Sequence, residues 1–297
     1  METSDGSVLR IAVAQSTGSQ DPSEAEIRAN GKHVRELMRQ AHDQGARLIL
    51  FPEGALSGYP SKHLMSRTSP EAGPADWDKA DWLVLRAELD ETIALAGELE
   101  LWTVIGSIHR LTGSNRPHNS VYVISAAGEL VDRYDKRLLS FTEISHLYTP
   151  GTAPVVFDVE GYRFGCAVCI EVNYPELFLE YERLGVDCVL FSSYSEDPMF
   201  GVLAQGHAAG NSYWLAFSVP AQYSPSVPAG VIAPNGEWVA RGSTDGLPDV
   251  VLFDLDPSAP DAEEAVTYRR PWRLKARSGL YNEHFVTDPR SQTKTLP

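Results

Sequence analysis

The sequence predicts an α/β protein whose sheets contain both parallel and antiparallel strands. Segments with helical spacing of apolar residues alternate with short apolar strands, which is typical of α/β folds. Several pairs of strands are separated by only two or three residues, and such short connections indicate antiparallel hairpins. Apolar residues make up 43% of the 297 residues, so the chain has enough apolar material for one large core.

The first half of the chain contains strands alternating with long helices, followed by a hairpin. The predicted strands are alternating or compact apolar runs at 8–15, 47–51, 101–108, 119–125 and 129–136, the last two forming the hairpin. Apolar positions at helical spacing predict helices over 21–46 and 80–100. The polar stretch from Ser57 to Pro74 is rich in proline and glycine, which predicts a loop.

The second half repeats this alternation and adds two hairpins. One hairpin pairs 154–159 with 162–169 and turns at Glu160 and Gly161, and the other turns at Asn235 and Gly236. The remaining predicted elements are the helix 175–185, the strand 187–192, the helix 199–212, the strand 214–220 and the hairpin strands 229–234 and 237–242. Proline in the first turn and glycine at the end support the helix at 175–185.

The charge of the chain argues against nucleic acid and membranes as partners. Forty acidic and 25 basic side chains give a formal net charge of -15, and such a field repels phosphate backbones and anionic lipid surfaces. The N-terminal residues lack the pattern of a signal peptide, and no apolar run approaches the ~20 residues that span a bilayer. We therefore expect a cytoplasmic protein.

The three cysteines differ in their surroundings. Three thiols are too few for a disulfide framework. Cys166 and Cys169 have the spacing of a redox pair, but both lie at the end of a predicted strand, where an offset of three places them on opposite faces. No second cluster offers the ligand spacing of a zinc site. Cys166 and Cys188 lie inside apolar runs and are expected to be buried, which leaves Cys169 as the candidate for a single reactive thiol.

Three further polar residues follow predicted strands or lie beside a loop. Glu53 comes directly after the strand 47–51, Lys136 ends a hairpin strand, and Glu143 follows seven residues later. Each residue alone is more often a helix cap or a surface ion worth ~0–1 kcal/mol. Open α/β sheets, however, place their sites at the carboxyl ends of strands, and Glu53, Lys136 and Cys169 all fall there.

An ordered set of short motifs resembles the nitrilase superfamily of carbon–nitrogen hydrolases. These motifs are FPE ending at Glu53 with GY at 58–59, NS at 119–120, YDKRLL at 134–139 with Glu143 after it, and Cys169 leading into YPE. The resemblance runs from residue 8 to about residue 255. It implies a four-layer αββα sandwich with mixed sheets, and a Glu-Lys-Cys triad that needs neither metal nor organic cofactor.

The resemblance also implies a role for each matched residue. Glu53 corresponds to the general base, Lys136 to the positive group beside the oxyanion, and Cys169 to the nucleophile. Glu143 matches a glutamate that positions the lysine or the substrate. The implied substrate contacts are the backbone N–H of Ile170, which completes an oxyanion hole, and the side chains of Tyr59, Asn173 and Tyr194.

Two positions depart from the pattern of many amidases and carbamoylases. Glu171 stands where those sequences have aspartate, and Asn173 stands where they have an arginine that often recognises a substrate carboxylate. A carboxylated substrate is therefore less well supported. The continuation after Cys169 also lacks the residues usual in true nitrilases, so an amide is preferred over a nitrile.

These observations predict a hydrolase that cleaves a non-peptide C–N bond of a small linear amide through a cysteine thioester, releasing ammonia or an amine. The alternatives are an N-carbamoyl hydrolase or nitrilase, an acyltransferase with the same triad, and a non-catalytic binding protein that retains the fold. Residues 1–257 are predicted to form the catalytic domain. The extension 258–297, Arg-rich over 267–281, is predicted to pack on a neighbouring subunit of a homodimer or higher homo-oligomer.

Overall fold

The computed structural model describes residues 8–20, 23–60, 73–293 and 295. In this part of the chain twelve strands form two six-stranded sheets. The strands are β1 (Leu9–Gln15), β2 (Leu48–Leu50), β3 (Trp102–His109), β4 (His118–Ile124), β5 (Leu130–Asp135), β6 (Val156–Val159), β7 (Tyr162–Val168), β8 (Cys188–Ser192), β9 (Trp214–Ser218), β10 (Gly230–Ile232), β11 (Trp238–Arg241) and β12 (Asp249–Leu255).

Each sheet has three parallel strands at its centre and antiparallel strands on both sides. The first sheet has the order β12-β1-β2-β3-β4-β5, with β1, β2 and β3 parallel. The second has the order β11-β10-β9-β8-β7-β6, with β7, β8 and β9 parallel. The outer pairs, including the three predicted hairpins, are antiparallel. Both sheets are therefore mixed, as the short connections in the sequence predict.

Four of the six helices described cover the outer faces of the two sheets. The six helices are α1 (Glu24–Asp43), α2 (Trp82–Glu98), α3 (Pro175–Arg183), α4 (Met199–Asn211), α5 (Arg270–Arg277) and the short α6 (Pro289–Gln292). The apolar faces of α1 and α2 pack on the first sheet, and those of α3 and α4 pack on the second. A third apolar cluster fills the space between the sheets. The layers are thus αββα, and the predicted fold class is confirmed.

Serine side chains connect the two sheets at the carboxyl ends of their central strands. The hydroxyl of Ser192 donates to the carbonyl oxygen of Phe51 at 2.8 Å, and that of Ser218 donates to Ala14 at 2.6 Å. Because parallel strands of both sheets end here, the loops that follow β2, β7 and β8 meet at one edge of the sandwich. This edge is where α/β sheets place their sites.

One strand was not predicted from the sequence, and part of one predicted loop lies outside the described residues. The strand β12 was not predicted, and it pairs antiparallel with β1 along seven residues. Of the predicted loop from Ser57 to Pro74, residues 61–72 lie outside the described residues. None of the helices in the described ranges has the length and apolar character needed to cross a membrane.

The C-terminal extension contacts the chain's own second half. Ala262 lies in the core between the sheets. Arg270 of α5 forms an ion pair with Asp187 at 2.7 Å, and Arg273 reaches the buried carboxylate of Glu182 at 2.7 Å. The segment through α5 is therefore attached to its own subunit. The domain boundary at 257 and packing on a neighbouring subunit stay predictions.

Candidate active site

Glu53 lies in a tight turn directly after the central strand β2. The N–H of Phe51 still donates to Val104 of the neighbouring strand, and Gly54 then adopts a positive φ of 69°. Gly106 of β3 lies against this turn. A Cβ built on Gly106 would be 2.3 Å from the carbonyl oxygen of Pro52 and 2.8 Å from the Cα of Glu53. Only glycine at 106 leaves room for the backbone that carries the Glu53 carboxylate.

Lys136 follows β5 and lies between two carboxylates. Its Nζ donates to Glu53 Oε1 at 2.9 Å and to Glu143 Oε1 at 2.7 Å. Asn119, at the start of β4, donates to the same two oxygens at 2.6 and 3.3 Å. The Tyr59 hydroxyl donates to Glu143 Oε1 at 3.1 Å. Three segments of the sequence, 53–59, the start of β4 and 136–143, thus meet in one hydrogen-bonded cluster.

The charged groups of this cluster are buried away from water. Lys136, Glu53 and Glu143 are each only 1% exposed. Burial by itself would lower the pKa of Lys136, but the two carboxylates raise it well above its usual value, so the ammonium stays charged. Burial would raise the pKa of Glu143, yet Lys136 and the backbone and hydroxyl of Ser140 bring it below its usual value. Glu143 is therefore held as a carboxylate.

The two glutamates differ although both contact Lys136. Burial raises the pKa of Glu53, Lys136 opposes this, and the negative charge of Glu143 adds to it, so the pKa lies above the usual 4.5. Within the described residues, the second oxygen of Glu53, Oε2, is buried without a hydrogen-bond partner. Glu53 thus has one oxygen fixed by donors and one oxygen free to accept a proton.

Cys169 is the first residue after β7, where the chain leaves the second sheet. Its φ is 51°, in the left-handed region that non-glycine residues rarely adopt. A short 3₁₀ turn, Cys169–Asn173, begins here and leads into α3. Cys169 therefore lies on a sharp strand-to-helix connection and packs against the apolar clusters on both faces of the second sheet. Cys166 and Cys188 are buried within their strands, as predicted.

The thiol of Cys169 interacts electrostatically with the charged cluster. Burial raises its pKa most, and the Glu53 carboxylate raises it further. The Lys136 ammonium and a hydrogen bond from the backbone N–H of Tyr194 act in the opposite direction. The net pKa lies above the usual value, so the resting group is a thiol. A thiol in this state reacts as a nucleophile only if a base removes its proton. The Glu53 carboxylate lies near enough to influence the thiol electrostatically.

Tyrosine side chains lie close to the Cys169 thiol and to the charged cluster. The rings of Tyr59 and Tyr194 stack with centroids 4.9 Å apart, and Tyr223 meets Tyr194 edge-on at 5.3 Å. Tyr148 lies edge-on to Tyr59 at 6.5 Å. This wall gives the site apolar surface beside its charges, which suits a small ligand with a polar head and an apolar body.

The predicted contacts Ile170 and Asn173 lie in the 3₁₀ turn. Ile170 is half-buried and directly follows the sulfur-bearing residue, so its backbone lies beside the site. Asn173 is exposed, and its amide donates to the carbonyl oxygen of Ile170 at 3.2 Å. The structure thus brings Glu53, Lys136, Glu143, Tyr59, Cys169 and Tyr194 together at one edge and leaves Asn173 on the surface of the turn.

Two residues of the site were not assigned roles from the sequence. Asn119 was noted only as part of the NS motif, although its position at the start of a strand next to the Lys136 strand gives it contact with both glutamates. Glu171 was noted only as a departure from aspartate, and it is completely buried. A charged residue two positions after a candidate nucleophile is the signal that could have identified it.

In the described ranges no group of three or more His, Cys, Asp and Glu side chains could hold a metal ion.

Comparison with known proteins gives matches along most of the chain. The sequence model of the carbon–nitrogen hydrolase family matches residues 10–259. Hydrolase Rv0480c of Mycobacterium tuberculosis is 27% identical over 277 residues, covering 84% of this chain and 89% of that protein. Omega-amidase NIT2 of Bos taurus is 25% identical over 265 residues, covering 84% of this chain and 88% of that protein.

Solved structures share the fold. An amidase from Nesterenkonia sp. superposes with a TM-score of 0.70 at 21% identity, covering 92% of this chain and 97% of that chain. A variant of the same amidase carries the acetamide moiety of fluoroacetamide covalently added at its active-site cysteine, and it superposes with a TM-score of 0.69 at 21% identity and the same coverage.

The αββα sandwich and the match over residues 10–259 define the class of this protein. The chain belongs to the carbon–nitrogen hydrolase family, within the nitrilase superfamily.

Proposed function

We propose that the protein is an amidase that hydrolyses a small linear amide through a thioester on Cys169. The observation that carries this proposal is the electrostatic interaction of the Cys169 thiol with a buried Glu53 carboxylate whose Oε2 has no hydrogen-bond partner among the described residues. A thiol with a raised pKa needs such a base. Relatives named as an omega-amidase and an amidase support the choice of an amide as the substrate.

The first half of the reaction forms the thioester. Glu53 Oε2 takes the thiol proton while the sulfur of Cys169 bonds to the amide carbon, and the carbonyl oxygen becomes an oxyanion. The Lys136 ammonium and the backbone N–H of Ile170 stabilise this charge. When the intermediate collapses, the C–N bond breaks and the protonated Glu53 gives its proton to the leaving nitrogen, so ammonia or an amine departs.

The second half of the reaction regenerates the thiol. Glu53, again a carboxylate, takes a proton from water as the water oxygen attacks the thioester carbon. Collapse breaks the C–S bond, the acid is released, and the proton returns to sulfur. Glu143 and Asn119 keep Lys136 and Glu53 in place throughout. Glu143 accepts a hydrogen bond from the Lys136 ammonium, and the Asn119 amide donates to both Glu53 and Glu143. Covalent addition at the cysteine of the Nesterenkonia amidase supports a cysteine nucleophile here.

Replacement of the sulfur tests the proposal. Cys169→Ala is expected to lower ammonia release from a panel of short aliphatic and ω-carboxylated amides by roughly 10⁴-fold or more, since the whole pathway passes through sulfur. Mass spectrometry of the intact wild-type protein, quenched during turnover, should show an added acyl group on Cys169.

The matched control is Cys188→Ala, which removes a buried thiol from β8 away from the site. It is expected to keep its activity per folded molecule. Substantial turnover by Cys169→Ala, or an acyl group on any other residue, would refute the proposed nucleophile.

A further inference from the structure

Glu171 is a buried carboxylate that is satisfied entirely by hydrogen bonds from its own chain. It has no exposed surface. Its Oε1 accepts from the backbone N–H groups of Arg137 and Leu138, at 2.7 and 3.1 Å. Its Oε2 accepts from the backbone N–H of Val168 at 2.7 Å. The hydroxyl of Tyr134 approaches both oxygens, at 2.8 and 2.9 Å.

The donors to Glu171 are adjacent to residues of the proposed triad. Val168 immediately precedes Cys169, so one oxygen holds the last strand residue before the sulfur-bearing turn. Arg137 and Leu138 immediately follow Lys136, so the other oxygen holds the segment that carries the ammonium. The carboxylate therefore connects a loop of the first sheet to a loop of the second, one residue away from Cys169 on one side and one residue from Lys136 on the other.

We infer that Glu171 is a positioning residue, which fixes the distance between the Cys169 sulfur and the Lys136 ammonium. The inference rests on the proposed function, because it assigns a role relative to that triad. Glu171 itself does not touch the reacting atoms. Its carboxylate is the one side chain, among those described, that receives backbone N–H groups from both loops at once.

A carboxylate suits this position better than an amide of the same shape. Both oxygens of Glu171 accept backbone donors, whereas glutamine has one accepting oxygen and one NH₂ group. In Glu171→Gln the NH₂ must face either the Val168 N–H or the N–H groups of Arg137 and Leu138, so two donors meet. The two loops are then expected to move apart. A displacement of about 1 Å in a catalytic geometry can cost roughly 10²-fold in rate.

The experiment compares Glu171→Gln with Glu182→Gln. Glu182 is also a buried glutamate, but its partners are Arg273 and Arg277 in the C-terminal segment. For each full-length variant we would measure the folded fraction by circular dichroism, the rate of Cys169 labelling by iodoacetamide per folded molecule, and kcat and KM on the best amide of the panel.

Glu171→Gln is expected to lower both the Cys169 labelling rate and kcat by about 10²-fold with little change in KM. Glu182→Gln should lower the melting temperature but leave labelling and kcat per folded molecule unchanged. Equal labelling rates in the wild type and in folded Glu171→Gln would overturn the inference, since a residue with only a structural role changes stability and not sulfur reactivity.

Tyr134→Phe keeps the test decisive if Glu171→Gln does not fold. It removes one donor to Glu171 and retains the three backbone donors, so labelling of Cys169 should slow several-fold. A Tyr134→Phe protein that labels at the wild-type rate would overturn the inference. If wild-type Cys169 labels no faster than Cys166 or Cys188, it is the proposed function that fails, and this result is distinct from the others.

Discussion

The two sheets contribute different kinds of group to the site. The first sheet supplies the ionisable groups Glu53, Lys136 and Glu143, together with Asn119, and these side chains are joined to one another by hydrogen bonds shorter than 3.4 Å. The second sheet supplies one sulfur, on a residue with a φ of 51°. Charge complementarity organises one half of the site, and backbone geometry organises the other.

This difference indicates how each half responds to mutation. The buried charges of the first sheet depend on one another, because an ion without its partner is costly away from water. The sulfur depends on the turn that presents it and carries no charge at rest. Substitutions in the first sheet should therefore change stability and protonation, whereas substitution of the sulfur should remove chemistry at little cost in stability.

Removal of the central cation should have the largest effect on stability. Lys136→Met leaves Glu53 and Glu143 buried without a positive partner, and loss of one member of a buried ion pair costs about 3–5 kcal/mol. Urea unfolding measures the change. Lys32→Met is the control, because that side chain is 77% exposed and should matter by no more than about 0.5 kcal/mol. Equal unfolding midpoints for the two variants would contradict the dependence of the carboxylates on Lys136.

Neutralisation of Glu143 should change the pH dependence of catalysis. Burial raises the pKa of Glu53, Lys136 lowers it, and the Glu143 carboxylate raises it. The base acts when deprotonated, so kcat/KM falls as the pH drops through the pKa of Glu53. Glu143→Gln removes one raising influence, and the acidic limb of the pH profile should therefore move to lower pH.

The acidic limb is measured as kcat/KM against pH for the wild type, Glu143→Gln and the control Glu182→Gln. The control should keep the wild-type limb, because Glu182 is buried beside α5 and is not part of the cluster. A limb in Glu143→Gln that stays in place or moves to higher pH would contradict the assignment of Glu53 as the base.

The backbone of the sulfur-bearing turn should give the smallest effect. A side chain in the left-handed region costs roughly 1–2 kcal/mol, and glycine does not bear this cost. Cys169→Gly should therefore be about 1 kcal/mol more stable than Cys169→Ala, although neither is active. At Cys188, inside β8, the order should reverse, with glycine less stable than alanine. The same order at both positions would show that the turn is not strained.

Much of the fold follows from local sequence patterns. The three hairpins are specified by short turns between apolar runs, and glycine with a positive φ lies at each of these turns, at Gly128, Gly161 and Gly236. The strand β12 was missed because its partner β1 lies some 240 positions earlier in the chain. The local sequence from Asp249 to Leu255 contains no pattern that indicates pairing with β1 at the edge of the first sheet.

The site could be predicted only in part for the same reason. The strand ends identified Glu53, Lys136 and Cys169 as candidates, and the order of the motifs grouped them. The contacts of Asn119 and Glu171 depend on how two sheets face each other, which is set by packing of the apolar layer between them. A polar residue that bridges two distant loops has no periodicity of its own, so single-sequence reasoning has no pattern from which to assign it.

The close approach of Gly106 to the turn at Glu53 has a consequence for efforts to alter substrate range. Any added carbon at that position would collide with the main chain that carries the Glu53 carboxylate, so this side of the site leaves no room for substitution. Variation belongs instead on Tyr194 and Tyr223, because the Tyr59 hydroxyl is a donor to Glu143 and its loss would disturb the charged cluster.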